Sequence, residues 1–173
     1  MDHLWAPWRE AYITRLVKRV KGCLFCRLLR ENKDKKNLIF LRTSYSFGVL
    51  NRFPYNNGHA MVLPLRHVGS PEDLTPEESQ DLWETLCYTK KLLDHAFRSQ
   101  GYNIGMNVGK AAGAGEPGHL HFHIVPRWRG DVNFMPTIGK TKVISQSLRA
   151  SYNLLVDGHR RCQCKAFVKV KRK

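Results

Sequence analysis

The segment His119-Leu-His-Phe-His-Ile-Val-Pro126 carries an imidazole at every second position. Side chains of an extended chain alternate between faces, so His119, His121 and His123 share one face, and Leu120, Phe122 and Ile124 share the other and pack on a core. Neighbouring imidazoles on such a face are expected ~6–7 Å apart, twice the rise per residue. A lone histidine is usually a satisfied surface or core residue. Three in strict alternation with apolar residues, in mid-chain, are neither an expression tag nor ordinary packing. Two chemistries suit them. Imidazole is the commonest metal ligand. A neutral imidazole nitrogen can also attack phosphorus in line, forming a covalent intermediate and splitting one hard displacement into two easier ones. Spacing alone leaves both open.

Cys23-Leu-Phe-Cys26 is a C-x2-C pair, readable as half of a zinc site, a redox motif or reduced thiols packed near a core. A tetrahedral zinc site needs two further ligands, usually histidine or cysteine. His159, Cys162 and Cys164 form a second group, whose short spacing and missing fourth ligand argue against a metal; they read as exposed tail residues. Gly109-Lys-Ala-Ala-Gly-Ala-Gly-Glu-Pro-Gly118 leads into the histidines. Glycines such as Gly113 and Gly115 let backbone N–H groups approach phosphate oxygens closely, although such loops often only make turns. The loop is not a P-loop, because no Gly-Lys-Ser/Thr stands at the required spacing. Lys110 reads as a solvated lysine, with a distal phosphate as the alternative partner.

The elements that must position these groups follow from periodicity. A short helix is expected around Leu24–Arg30. Leu38–Leu41, Phe47–Leu50 and Ala60–Leu63 are short apolar runs, and Pro54-Tyr-Asn-Asn-Gly58 between the last two is a turn, giving an antiparallel meander. Thr75-Pro-Glu-Glu78 opens a long helix with an N-cap, a first-turn proline and a capping box. Leu82, Leu86, Leu93 and Phe97 continue it at helical spacing, and Gly101 follows its end. Asn103–Asn107 and His119–Val125 read as strands, the second stopped by Pro126, and Ser145–Val156 as a last amphipathic helix. Strands, one long helix and more strands predict an α+β fold with a mostly antiparallel sheet and shorter flanking helices. The expected organisation is a single domain: an N-terminal extension (1–36) with the cysteine pair, a core (37–135), and a C-terminal helix with a basic tail (136–173).

The chain has 173 residues, 42% of them hydrophobic, enough for one folded core. No apolar run approaches the ~20 residues of a membrane span, and Met1-Asp2-His3-Leu4-Trp5 is not a secretory leader. A cytoplasmic protein is therefore expected, and five cysteines there argue for reduced thiols or metal ligands rather than a disulfide framework. The net charge of +15, from 29 basic and 14 acidic residues, attracts polyanions, a nucleoside polyphosphate as readily as a nucleic acid. Much of the excess lies in residues 15–21 and 165–173, and no nucleic-acid recognition motif accompanies it.

His119-Leu-His-Phe-His-Ile-Val resembles the signature of the histidine-triad superfamily, and Asn51-Arg-Phe-Pro-Tyr-Asn-Asn-Gly-His-Ala-Met-Val-Leu-Pro-Leu-Arg-His67 resembles its second hallmark segment. The likeness spans about Cys23 to Arg129. Trp5-Ala-Pro-Trp-Arg9, Gly105-Met-Asn-Val-Gly109 and Pro126-Arg-Trp-Arg-Gly-Asp131 resemble the branch that includes small bacterial diadenosine tetraphosphate phosphorylases. The resemblance implies the histidine-triad fold. It also implies a nucleotidyltransferase or hydrolase that cleaves dinucleoside polyphosphates through a nucleotidyl-histidine, with phosphate or water as acceptor. His121 would be the nucleophile, His123 a donor to the α-phosphate and leaving group, and His59 a support for the nucleophile's neighbourhood. Asn51 would bind the ribose side, Asn107 the phosphate or leaving group. Trp128 would stack on a base or narrow the polyphosphate channel, unless it simply caps the sheet. Some bacterial members complete a C-x2-C pair with two histidines, here His67 and His119, which implies a structural zinc held by Cys23, Cys26, His67 and His119 and no organic cofactor. A homodimer with sheets joined across a two-fold axis is implied, which the N-terminal extension could extend to a tetramer. The competing readings are a nucleoside phosphoramidase-type hydrolase and a nucleic-acid-binding relative, the latter resting on charge alone.

Overall fold

The computed structural model describes residues 22–131 and 143–162. The Trp5-Ala-Pro-Trp-Arg9 segment, the basic stretches 15–21 and 165–173, and Cys164 lie outside the described residues. The fold is α+β. Helix α1 (Leu24–Glu31) and the single turn α2 (Asp34–Asn37) lead into strands β1 (Ile39–Arg42), β2 (Ser46–Leu50) and β3 (Ala60–Pro64). The long helix α3 (Pro76–Phe97) crosses to β4 (Gly101–Met106), and β5 (Phe122–Arg127) and helix α4 (Leu148–Arg161) follow. The strands form one antiparallel sheet in the order β1-β2-β3-β5-β4. No helix among the described residues is long and apolar enough to cross a membrane.

The expected meander is present, with Phe47 opposite Leu63 and Val49 opposite Met61. Its connection ends at Gly58, whose φ of +72° is a left-handed conformation open to glycine. Alternation sorts the side chains to two faces. Leu50, Ala60, Val62, Leu120 and Ile124 pack under Leu82, Leu86, Leu92 and Leu93 of α3 and Leu155 of α4. On the other face Ile39, Phe47, Val49, Met61 and Leu63 meet Phe25 of α1. The helical cover thus leaves one face of the sheet to α1 and the groups described below.

The start of α3 is as the sequence predicts. Thr75 Oγ1 accepts from the Glu78 backbone N–H, and Glu78 Oε2 accepts from the Thr75 N–H. The helix ends at Phe97, with Arg98 in the left-handed region, and β4 begins at Gly101 rather than Asn103. The last helix is displaced from the expected Ser145–Val156. Ser147 is its N-cap, accepting from the Ala150 N–H, and the helix runs on to Arg161. His159 is therefore not an exposed tail residue: it sits in the last turn of α4, half-buried, with Nδ1 2.7 Å from the Tyr88 hydroxyl.

The strand expected over His119–Val125 is also shifted. It starts at Phe122 and runs through Pro126 to Arg127. The Arg127 carbonyl accepts from the Gln100 N–H on the β4 side. Pro126, one residue back, therefore faces the other edge, where β3 has already ended opposite Ile124. Its missing N–H breaks no ladder bond, which is why a proline is tolerated there.

Candidate active site and metal centre

The alternation read from the sequence holds beyond the strand itself. Leu120 and Ile124 are buried in the helix-side core, with Phe122 packed against it. The imidazoles of His121 and His123 lie side by side with ring centroids 5.0 Å apart, closer than the ideal strand spacing. Phe25 of α1 stands against both His119 and His121, at 5.5 and 5.4 Å between centroids.

Hydrogen bonds fix the tautomers of this group. His121 Nδ1 lies 2.8 Å from the carbonyl oxygen of His119. A carbonyl only accepts, so a neutral His121 carries its proton on Nδ1, which leaves Nε2 with a lone pair. His59, at the entry to β3, is fully buried. Its Nδ1 accepts from the Tyr55 backbone N–H at 3.0 Å, so its proton is on Nε2. That Nε2 is 2.9 Å from His123 Nδ1 and donates to it. His123 then holds its own proton on Nε2. One bond pattern thus makes His121 a base at Nε2, and the other makes His123 a donor at Nε2. His59 bonds His123 directly.

The first triad histidine, His119, belongs to a different cluster. Ligand atoms of Cys23, Cys26, His67 and His119 all lie within 4.8 Å of one another. Cys23 Sγ and Cys26 Sγ are 3.4 and 3.6 Å from His119 Nδ1, and Cys26 Sγ is 3.4 Å from His67 Nδ1. A tetrahedral ion with Zn–S near 2.3 Å and Zn–N near 2.0–2.1 Å would separate sulfur and nitrogen by about 3.5 Å. His119 Nε2 donates to the Pro64 carbonyl at 2.9 Å, which presents the Nδ1 lone pair to the cluster. Burial, the largest cause, lowers the His119 pKa, so the ring stays neutral. Burial also pushes the Cys23 thiol up to about 11, the opposite of the lowered pKa of a redox-active C-x2-C pair. These four residues could bind a metal ion.

The remaining candidates are placed around this centre. Asn51 follows β2; its N–H donates to the His59 carbonyl and its Oδ1 accepts from the Phe53 N–H. Asn107 leaves β4 just after Met106, the partner of Phe122, and so runs beside the histidine segment. Gly113 and Gly115 are exposed; the Gly113 N–H donates to the Lys110 carbonyl, at a φ of +86°. Trp128 is half-buried beyond the other end of β5, five residues past His123 or about 16 Å of extended chain.

Several residues were not singled out from the sequence. Phe25 looked like spacer between two cysteines. Tyr55 and Asn56 were read only as turn residues, yet Tyr55 stacks on His59 at 4.7 Å between centroids. Glu116 Oε2 accepts from the Leu24 N–H at 3.1 Å, tying the glycine-rich loop to the start of α1. Asp131 accepts from Asn56, Arg127 and the Trp128 N–H. Of these, Tyr55 and Asn56 had a sequence signal through the Asn51–His67 segment and Asp131 through the Pro126–Asp131 segment.

A model of the HIT domain matches residues 32–130. The chain is 38% identical over 161 residues to a Mycobacterium tuberculosis protein named AP-4-A phosphorylase, covering 90% of this chain and 83% of that protein. Its fold is similar to that of a hypothetical histidine triad nucleotide-binding protein from Sulfolobus tokodaii, with a TM-score of 0.68 at 19% identity, over 87% of this chain and 100% of that one. A Zn-bound histidine triad family protein from Mycobacterium smegmatis is similar over 79% of this chain and 92% of its own, with a TM-score of 0.58 at 24% identity. With both hallmark segments folded around paired imidazoles and the family model spanning most of the chain, this protein belongs to the histidine-triad (HIT) family.

Proposed function

We propose that this chain cleaves dinucleoside polyphosphates such as diadenosine tetraphosphate by nucleotidyl transfer through His121, with inorganic phosphate as the acceptor. The observation that carries the reading is the pair of opposed tautomers at His121 and His123. His121 Nε2 attacks the α-phosphorus, and the bond to the leaving polyphosphate oxygen breaks. His123 Nε2–H donates a hydrogen bond to the oxygens that gain charge. With Nδ1–H held on the His119 carbonyl, Nε2 already carries the attacking lone pair, so the attack needs no separate base. The acceptor then displaces the histidine from phosphorus. Asn51 is assigned to the ribose side and Asn107 to the phosphates. Gly113 and Gly115 are assigned to the polyphosphate chain, and Trp128 to a base or the channel wall.

Similarity to the AP-4-A phosphorylase over most of both chains supports phosphate, rather than water, as acceptor. Product analysis with diadenosine tetraphosphate tests this. ADP and ATP appearing only when inorganic phosphate is present fits phosphorolysis. AMP and ATP without phosphate make the protein a hydrolase, and cleavage of a nucleoside phosphoramidate alone moves it to the other enzymatic reading.

The same reading assigns a structural zinc to Cys23, Cys26, His67 and His119, supported by the separations of the four ligand atoms and by the Zn-bound relative. Bound there, zinc would supply folding energy by fastening α1 to the sheet. A homodimer through β4 completes the proposal. Asn103, Ile104 and Gly105 of this strand are exposed, and a strand edge unpaired among the described residues, with an exposed isoleucine, is a ready template for another strand.

A further inference from the structure

Asp131 is an anchored carboxylate with no part in the chemistry assigned above. Its side chain is only 7% exposed. It accepts from Arg127 Nε and Nη2 at 2.6 and 2.8 Å, from the Trp128 N–H at 3.2 Å, and from Asn56 Nδ2 at 2.8 Å. Arg127 in turn donates through Nη1 to Asn103 Oδ1 of β4 at 2.7 Å. The Arg127 side chain is 40% exposed, and an ion pair with one partner open to solvent contributes little to stability, so stability alone does not account for the arrangement. What it does is hold one amide in place.

That amide belongs to Asn56, itself buried at 6% exposure. Both of its side-chain donor bonds run from Nδ2, one to Asp131 and one to the Pro126 carbonyl at 3.1 Å. Its Oδ1 accepts from the Asn57 N–H, and its backbone carbonyl accepts from the His59 N–H at 3.1 Å. The turn between β2 and β3 is therefore pinned to the end of β5 at Asn56. The residue before it, Tyr55, gives the N–H that makes His59 Nδ1 an acceptor. The residue three after it is His59 itself, which donates to His123.

We propose that Asn56 and Asp131 are positioning residues that set the tautomer of His123, acting through the Tyr55 N–H and the His59 imidazole. The constraint passes in one direction. Asp131 fixes Asn56, Asn56 fixes the turn, the turn aims an N–H at His59, and His59 hands its own N–H to His123. If the turn relaxes, the Tyr55 N–H leaves His59 Nδ1, both rings can exchange tautomers, and His123 presents a lone pair where a donor is needed. This deepens the proposed function, on which its kinetic arm rests.

Nitrogen-15 NMR of the full chain reads the imidazole tautomers without substrate. In the wild type His59 and His123 are expected as Nε2–H forms and His121 as the Nδ1–H form. In Asn56→Ala the His59 and His123 signals should move toward a mixture of tautomers while His121 keeps its form. The kcat should fall about tenfold or more, a part of the roughly 10²–10⁴-fold that a positioned proton donor contributes. The KM should change less than the kcat, because the Asn56 side chain bonds none of the residues assigned to binding. Asp131→Asn keeps an oxygen to accept from Asn56 but loses the charge facing Arg127; it should give the same changes at smaller size, and it serves as the measure if Asn56→Ala does not fold. A folded variant of either kind with wild-type His59 and His123 tautomers overturns the proposal. So does a loss of kcat that only follows the loss of folded protein. A wild type that forms no nucleotidyl-His121 would defeat the proposed chemistry instead, and the tautomer measurement would still stand by itself.

Discussion

The carbonyl that orients the His121 ring belongs to His119, 2.8 Å from His121 Nδ1, and the ring of that same His119 stands in the cluster with Cys23, Cys26 and His67. On the proposed reading, one residue serves the nucleophile with its backbone and the metal-binding cluster with its side chain, so that the first and second histidines of the motif divide structural and chemical work.

His121→Asn should abolish turnover while leaving the fold and nucleotide binding in place. The wild type should form an acid-labile, base-stable phosphoramidate with the α-phosphate of a nucleotide, mapping to His121. Full turnover in His121→Asn, or label on another histidine, would refute the assignment.

Protein purified without chelators should carry about one zinc per chain by elemental analysis. Cys26→Ser should lower Tm, since a lost ligand opens the link between α1 and the sheet. It should also reduce kcat, because Phe25 and the His119 backbone both bear on His121. Metal-free protein with an unchanged Tm and full activity would remove the site from the account.

Glu78 should shape the acid limb of stability. Hydrogen bonds from Arg66, then from the Thr75 N–H, lower its pKa from 4.5 to about 2. A carboxylate with a depressed folded pKa contributes stability that is complete above its unfolded value near 4.5 and is lost as pH falls toward 2. Glu78→Gln keeps the capping box but removes the ion pair with a half-exposed Arg66. The loss at pH 7 should be about 1 kcal/mol, or roughly 2–4 °C in Tm. Thermal melts from pH 2.5 to 7 should show a shallower acid slope in the variant, and parallel curves would contradict this.

Light scattering should give about twice the 20.0 kDa chain mass, or four times if the N-terminal extension joins two dimers. Ile104→Lys puts a charge on the exposed face of the β4 edge and should shift the mass toward one chain. A wild type at 20.0 kDa would count against pairing through β4.

Much of the architecture was legible because it rests on local signals. The capping box at Thr75, the apolar runs of the meander and the alternation around His121 each have a short-range cause. The limits of β5 were not legible. Pro126 reads locally as a stop, and only the position of β3, more than sixty residues away in the chain, shows that its missing N–H faces no partner. The four cluster residues could be named through the family resemblance, which supplies the two histidines that the C-x2-C pair alone leaves open. Their convergence depends on a helix start meeting a residue 96 positions on, as Cys23 meets His119. Asn56 and Phe25 were opaque for the same reason. An asparagine in a turn and a phenylalanine between cysteines have ordinary local explanations, and their partners are set by tertiary packing.

The two faces of the sheet are unequal in a way that bears on opening motions. Among the described residues, sixteen buried ones form the cluster that joins the sheet to α3 and α4, while six form the one that joins it to α1. Local opening is easiest where the fewest apolar contacts must separate. Of these helices, the eight residues of α1 are therefore the more readily released while the rest stays folded. With a metal bound to Cys23 and Cys26, such release would require ligand bonds to break as well. In amide hydrogen exchange, α1 should then be the slow-exchanging helix of the metal-loaded protein and the fast-exchanging one after chelation, with the amides of α3 almost indifferent to the treatment.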